Sequence, residues 1–315
     1  MFSKKKVLVV GSIAYDHLMH FKDAFSDVIM PDNLNMVFPV SDHNFMFGGC
    51  GGNIAYSLKQ LGIEPLIMTT VGSDFHEYKK YFKKMGMDLS GIMQDRNKMT
   101  ASAYIVTDKN QNQITIFDPG AMQSKTSPRN IVSLRGYKNI ELAIISPDSP
   151  KQMLIAAEDC KKMKIPYVFD AGQQINAFVE EDLRKIIVYA DYFIANDYET
   201  SLLMKKLGVT KKELLFMPKI YIQTHGKDGS TIHHGDKTTK VEAVKANREV
   251  DPTGCGDAFR AGFVAGLQKG YDLKKCCQFG SLIATYNLEN EGTQNHILNK
   301  SEIEGRLNLA YNIKH

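Results

Sequence analysis

Short apolar, β-rich runs alternate with amphipathic or apolar helical stretches along most of this chain, and that rhythm restricts the fold more than any figure of composition. Strands are expected at residues 6–10, 66–70, 142–146, 167–170, 192–195 and 220–224, and helices at 54–61, 75–85, 151–163, 181–189, 198–207 and 258–269. A strand that returns through a helix pairs in parallel, and a parallel strand covered on both faces reads as an unbroken apolar run such as Val7-Leu8-Val9-Val10. A chain of 315 residues can bury one large core plus an accessory element. It shows no internal repeat, low-complexity tract or long linker, so one continuous main domain is expected. Two intervals break the rhythm, 17–47 and 100–117. In the second, 101–106 and 113–117 read as strands around the turn Asp108-Lys109-Asn110-Gln111-Asn112. Both intervals are expected to form a small β lid, leaving 1–16, 48–99 and 118–315 as a discontinuous main α/β domain.

The chemistry concentrates in Asp251-Pro-Thr-Gly-Cys-Gly-Asp257-Ala-Phe259, a glycine-punctuated turn that runs into an apolar helical segment. Gly254 and Gly256 permit a backbone too tight for bulky residues, so the amides of Gly254, Cys255, Gly256 and Asp257 can converge on an anion. The helix dipole behind them adds to the attraction. Asp257 can then take a proton from a substrate hydroxyl while those amides receive the charge growing on a transferred phosphate. A short Gly-x-Gly-Asp is more often a plain helix cap; the nine-residue pattern favours the functional reading.

A second run, Phe47-Gly48-Gly49-Cys50-Gly51-Gly52-Asn53, precedes a helical stretch and lets backbone approach a ligand closely. Asn53 offers a donor and an acceptor, which suits a vicinal diol, and Asp16 after the opening strand offers an anionic acceptor for a further hydroxyl. Glycine runs also serve flexible loops and dinucleotide turns; the weight here comes from co-occurrence with the distant aspartate motif.

Together the two motifs resemble the signatures of the ribokinase-like (PfkB) carbohydrate and nucleoside kinases. The family's second signature is usually Asp-Thr-Thr-Gly-Ala-Gly-Asp-x-Phe; Pro252 and Cys255 depart from it without removing an aspartate, a glycine or an amide. The resemblance spans nearly the whole chain. It implies a three-layer α/β/α domain with a mostly parallel central sheet and an inserted β lid. It also implies Asp257 as catalytic base, the 254–257 amides as anion hole, and ATP with Mg²⁺ as phosphate donor. Asp251 and Thr253 lie where some relatives hold a monovalent cation such as K⁺. Asn196-Asp-Tyr-Glu199 is similar to the family's Asn-x-x-Glu, which organises Mg²⁺ and phosphates, Glu199 acting through water. Thr224-His-Gly226-Lys-Asp-Gly229 is similar to its nucleotide loop. Asn287 and the segment 292–296 are expected to flank the adenine or the cation. A basic residue beside the phosphate would help, with Arg96, Lys98 and Lys227 as candidates. Exposed lid faces form dimers in some relatives, so both a monomer and a lid-mediated homodimer fit.

For the acceptor, a nucleoside and adenosine first is favoured, because the lid is rich in apolar and aromatic groups that could enclose a base; Gly11-Ser-Ile-Ala-Tyr-Asp16, Gly48-Gly-Cys-Gly-Gly-Asn53 and Asn112-Gln-Ile-Thr115 followed by Pro119-Gly-Ala-Met122 also resemble bacterial adenosine kinases. Met36, Phe38, Phe45, Phe47 and Phe117 could enclose a base; aromatics there serve equally as the lid's own core or as a dimer contact. The runner-up is a ribokinase- or fructokinase-like sugar kinase, using Asp16, Gly48, Gly49 and Asn53 on a free sugar. A dinucleotide oxidoreductase lacks its Gly-x-Gly-x-x-Gly, and a silent ligand-binding relative conflicts with the retained Asp257. The formal charge of +4 is small and dispersed, against a nucleic-acid partner. The opening apolar run is too short for a signal peptide or membrane span, and five cysteines lack ligand or disulfide spacing. The cytoplasm is the expected compartment.

Overall fold

The computed structural model describes residues 5–30, 35–110, 112–125, 127 and 129–312; positions 31–34 of the first expected lid interval and Gln111 in the turn of the second lie outside them. The strands are β1 (Lys6–Val10), β2 (Ala14–Phe21), β3 (Val40–Gly48), β4 (Glu64–Val71), β5 (Ile92–Gln94), β6 (Ala101–Thr107), β7 (Gln113–Asp118), β8 (Ile140–Ile145), β9 (Tyr167–Phe169), β10 (Tyr192–Asn196), β11 (Tyr221–Thr224), β12 (Ser230–His234) and β13 (Lys237–Val241). The α-helices are α1 (Phe25–Val28), α2 (Cys50–Gln60), α3 (His76–Lys84), α4 (Pro150–Met163), α5 (Glu180–Tyr189), α6 (Asp197–Leu207), α7 (Lys211–Phe216), α8 (Cys255–Gln268), α9 (Leu273–Leu288) and α10 (Lys300–Ala310).

Nine strands make the large sheet, in the order β13-β12-β11-β10-β9-β8-β1-β4-β5. Pairing is parallel from β11 through β5, and β12 and β13 add an antiparallel edge hairpin. The period of two decides which helices each residue meets. Leu8, Val10, Ala143, Ile145, Tyr167, Phe169, Phe193 and Tyr221 join the apolar layer under α4, α5, α6 and α7. Their neighbours Val7, Val9, Leu142, Ile144, Val168, Ile194 and Ile222 join the layer under α2, α8, α9 and α10. Both faces are therefore covered, the architecture expected of continuous apolar strands. β1 and β8 mark the point where strand order reverses, and at their carboxyl ends the Ser12 amide donates to the Pro147 carbonyl (2.8 Å). Ligands of open α/β sheets bind at such a crevice.

The remaining four strands form a small sheet in the order β3-β2-β6-β7, with β2 and β6 parallel and the other pairs antiparallel. β2 begins at Ala14, so Tyr15 and Asp16 belong to this sheet.

Two helices start earlier than their sequence suggests. Gly51, Gly52 and Asn53 lie inside α2 rather than before it, because closeness of approach overrides propensity: a Cβ on Gly51 would come within 2.3 Å of the Gly11 carbonyl oxygen. Gly256 and Asp257 likewise lie in the first turn of α8. The edge hairpin and α9 escaped the sequence reading. α9 buries Cys276, Cys277, Phe279, Leu282 and Ile283 against α8 and the sheet, so it lacks a clear polar stripe.

Candidate active site

The aspartate-glycine motif folds as a locked turn. Asp251 accepts the Thr253 amide on one carboxylate oxygen and the Gly292 amide on the other, both at 2.9 Å. Asn287, fully buried in α9, donates its side-chain amide to the Thr253 carbonyl at 2.7 Å. Gly254 then caps α8 with φ 78°, a left-handed conformation strained for other residues, and the chain enters the helix through Cys255 and Gly256. Asn287, expected to flank the adenine or the cation, lies beneath this turn and against Thr253.

Asp257 is 9% exposed at the start of α8, and Asn53 of α2 donates to its Oδ2 at 2.8 Å. The other end of the Asn53 amide accepts from Gln294 Nε2 at 2.9 Å. Gln294 also donates to the Tyr78 hydroxyl, which in turn donates to the Gly48 carbonyl (2.9 Å). Asn53, expected to clamp a diol, thus bonds Asp257 through its nitrogen and Gln294 through its oxygen. Gln294 and Tyr78 were not singled out in the sequence. Gln294 stood within a flagged segment, but only the fold brings it to Asn53.

Charge in this site is dense. Burial raises the affinity of Asp257 for its proton, while the Arg260 guanidinium and the Asn53 and Cys50 hydrogen bonds oppose that shift. Arg260 is itself buried, with Nε 2.5 Å from one Asp170 oxygen, Nη2 donating to the other at 2.8 Å, and the same Nη2 3.8 Å from Glu199 Oε2. Burial raises the Asp170 carboxyl too, with Arg260 opposing it. Asp16 is pushed up to about 7, first by burial and then by repulsion from Asp257 and Asp251. Gly48 lies directly against it, since a Cβ there would fall 2.1 Å from Asp16 Oδ2. Gly49 caps α2. Cys50, at the first position of that helix, has its thiol held protonated by burial and by the charges of Asp257 and Asp170. Asp170 and Arg260 went unnoticed in the sequence: nothing local distinguishes one arginine in an apolar helix or an aspartate at a strand end.

Asn196 and Glu199 form a reciprocal capping box at the head of α6: Glu199 N donates to Asn196 Oδ1 (2.8 Å) and Asn196 N to Glu199 Oε2 (2.9 Å). The capping role does not isolate Glu199, because Arg260 links it to the Asp257 helix. Thr224 ends β11, Gly226 opens a short 3₁₀ turn and Gly229 closes it at the start of the edge hairpin. This loop is tied through His225 and Gln223 to Asp197, at 2.8 and 2.6 Å. Arg96, Lys98 and Lys227 are exposed.

The small sheet sorts the expected base-enclosing residues by parity. Met46, Asp16, Ala103 and Phe117 are successive cross-strand partners, so they share one face in a single row across all four strands. Phe45 and Phe47 fall on the opposite face. Phe45 stacks on Tyr15 at 4.7 Å, and Phe47 stacks on Tyr78 and Tyr81 at 4.5 and 4.9 Å. Phe38 packs edge-on to Phe21 and Phe25 at 5.3 Å. Phe45, Phe47 and Phe38 thus lie against other aromatic rings and away from the Asp16 row, which Met46, not singled out in the sequence, joins.

Comparison with known proteins decides the family. The sequence pattern of the pfkB family carbohydrate kinases matches residues 4–300. The chain belongs to that family. It is 29% identical to a nucleoside kinase of Methanothermobacter thermautotrophicus over 315 aligned residues, covering 99% of this chain and 98% of that one. The Burkholderia thailandensis nucleoside kinase, solved in complex with inosine, superposes with a TM-score of 0.88 at 35% identity over 98% of this chain and 99% of that one. Its complex with ADP-inosine gives 0.85 at 36% identity, with 98% and 97% covered. The ribokinase-like fold and a kinase acting on a hydroxyl are thereby established for this pfkB-family chain. Among the described residues no helix is long and apolar enough to cross a membrane. No group of three or more His, Cys, Asp or Glu side chains among them could hold a metal ion, and all five cysteines are free.

Proposed function

We propose that this pfkB-family kinase transfers the γ-phosphate of ATP to the 5'-hydroxyl of a purine nucleoside, adenosine first. The observation that carries the reading is the Met46-Asp16-Ala103-Phe117 row. β2 and β7 stand two strands apart, about 10 Å at the usual spacing, which matches the reach from a ribose diol on Asp16 to a base against the half-exposed ring of Phe117. A free pentose would leave Phe117 and Met46 without a partner. The relatives named nucleoside kinases, and the one solved with inosine, support the same acceptor class.

Asp257 accepts the proton of the 5'-hydroxyl as that oxygen bonds to the γ-phosphorus; the bond from the γ-phosphorus to the β,γ-bridging oxygen breaks, and ADP departs. Asn53, held by Gln294, aims the Asp257 carboxylate, and the 254–257 amides receive the phosphoryl oxygens. Glu199 is the residue we assign to Mg²⁺. The ion suits this chain because it retains water and takes phosphate oxygens rather than needing an all-protein cage, and it would neutralise charge on the phosphates. A K⁺ ion beside Asp251 and Thr253 would find one further oxygen: Asn287 Oδ1 is buried with no hydrogen-bond partner among the described residues. The small sheet would act as a lid that excludes water from the phosphoryl group.

The test is Mg-ATP-dependent ADP release across adenosine, inosine, guanosine, cytidine, ribose and fructose, with product masses confirmed. Monophosphate formation from purine nucleosides supports the reading. Turnover of free sugars alone would move the protein to the sugar kinases, and silence throughout would remove the catalytic assignment.

A further inference from the structure

Asp257, Asp170 and Glu199 place three carboxyl groups around one buried arginine, whereas the exposed Arg96, Lys98 and Lys227 lie outside the cluster. Arg260 is 6% exposed, three residues beyond Asp257 on the same helix. Its position relative to the anion-hole turn is fixed by an unusual contact. A Cβ on Gly256 would sit 2.6 Å from Arg260 Nη1, so the guanidinium fills the space that a side chain on the second turn glycine would occupy. The positive charge thus lies immediately behind the amides that face the phosphate. Asp170 holds the guanidinium, Nη2 donating to one carboxylate oxygen at 2.8 Å while Nε stands 2.5 Å from the other, and the pair is buried from solvent.

We propose that Arg260 is the missing basic partner of the phosphate, acting from behind the anion hole as a positioning residue rather than by touching substrate. The inference rests on the phosphotransfer reading above. A fixed charge in a water-poor site keeps its field, because nothing there reorganises to screen it. Here that field offsets Asp257 and Glu199, whose negative charges would otherwise repel an incoming triphosphate. Gly256 then has two functions: a tight turn for the amides and vacant space for the guanidinium.

The experiment compares wild type with Arg260→Gln, Arg260→Lys and Asp170→Asn. Two quantities are read: kcat and KM for nucleoside, and the ratio of affinities for the β,γ-imido analogue of ATP over ADP, by calorimetry. Arg260→Gln should lower kcat by about 100-fold, keep nucleoside KM within about threefold, and reduce the affinity ratio about tenfold. Arg260→Lys should recover most of both losses. Asp170→Asn removes the clamp but keeps the cation, so the ratio should stay level or rise. A folded Arg260→Gln protein with wild-type kcat and wild-type ratio overturns the proposal. If the glutamine variant fails to fold, Asp170→Asn decides, and a fall in its ratio would reduce the pair to a structural brace. A wild type that prefers the imido analogue but phosphorylates no nucleoside would sink the acceptor reading and leave this inference standing.

Discussion

Asn53→Ala separates two readings of the same residue. If Asn53 clamps substrate, its loss raises nucleoside KM; if it aims Asp257, its loss lowers kcat. The structure favours the second, since Nδ2 donates to Asp257 Oδ2 at 2.8 Å and Oδ1 accepts from Gln294 at 2.9 Å. A hydrogen bond to a charged group contributes roughly 1.5–3 kcal/mol, and each ~1.4 kcal/mol is a factor of ten in rate. If most of that bond survives into the transition state, kcat should fall by about 10- to 100-fold. The truncation also removes the Gln294 bond to Asn53 and leaves that amide with Tyr78 alone, so stability should drop by about 2–4 kcal/mol, counting one charged bond and one neutral one. ADP release at saturating nucleoside and ATP gives kcat, and urea unfolding gives the stability change. A folded variant with unchanged kcat and a KM raised tenfold or more would refute the aiming role.

Asp257→Asn should reduce kcat by roughly 10²–10⁴-fold while nucleoside still binds, measured by single-turnover product formation and calorimetry; unchanged turnover would remove Asp257 as base. Gly51→Ala should destabilise by roughly 1–3 kcal/mol or prevent folding, because the new Cβ would stand 2.3 Å from the Gly11 carbonyl oxygen, and a wild-type urea midpoint would contradict that packing. Asp16 is raised to about 7, so between roughly pH 4 and pH 7 the ligand-free folded protein holds a proton that the unfolded chain has released. Stability should therefore fall as pH rises through that window, and Asp16→Asn should flatten the fall; equal slopes for both proteins would count against the shift. The same titration should lower nucleoside KM as pH rises from about 6 to 8, because the diol needs the carboxylate form as acceptor.

Much of the architecture could be read locally. The 6–10 run is β1 as expected, and 101–106 and 113–117 differ from β6 and β7 by a single residue at one end. Patterns of period two and of helical spacing are properties of a short window, and so are the turn residues that bracket them. The edge hairpin and α9 were harder: β13 is mostly exposed and α9 mostly buried, so neither shows the half-and-half pattern that marks an element.

The site divides the same way. The sequence by itself determined the glycine turns and the aspartates, because tight backbone and anion binding demand those residue types side by side. Only the tertiary structure decided what Asn53 does, since its partners Asp257 and Gln294 stand 204 and 241 positions away. It also decided which aromatics share a face with Asp16. Phe45, Phe47 and Phe117 are alike in sequence, and the register of β3 on β2 and of β7 on β6 sends two of them to one face and the third to the other. Arg260 is the extreme case, an ordinary helical residue by composition. It enters the site because the vacant side-chain position of Gly256 admits its guanidinium and Asp170 holds it there. Backbone conformation is a local property that residue type can specify, whereas charge placed across a fold is set by long-range packing, which no short stretch of sequence encodes.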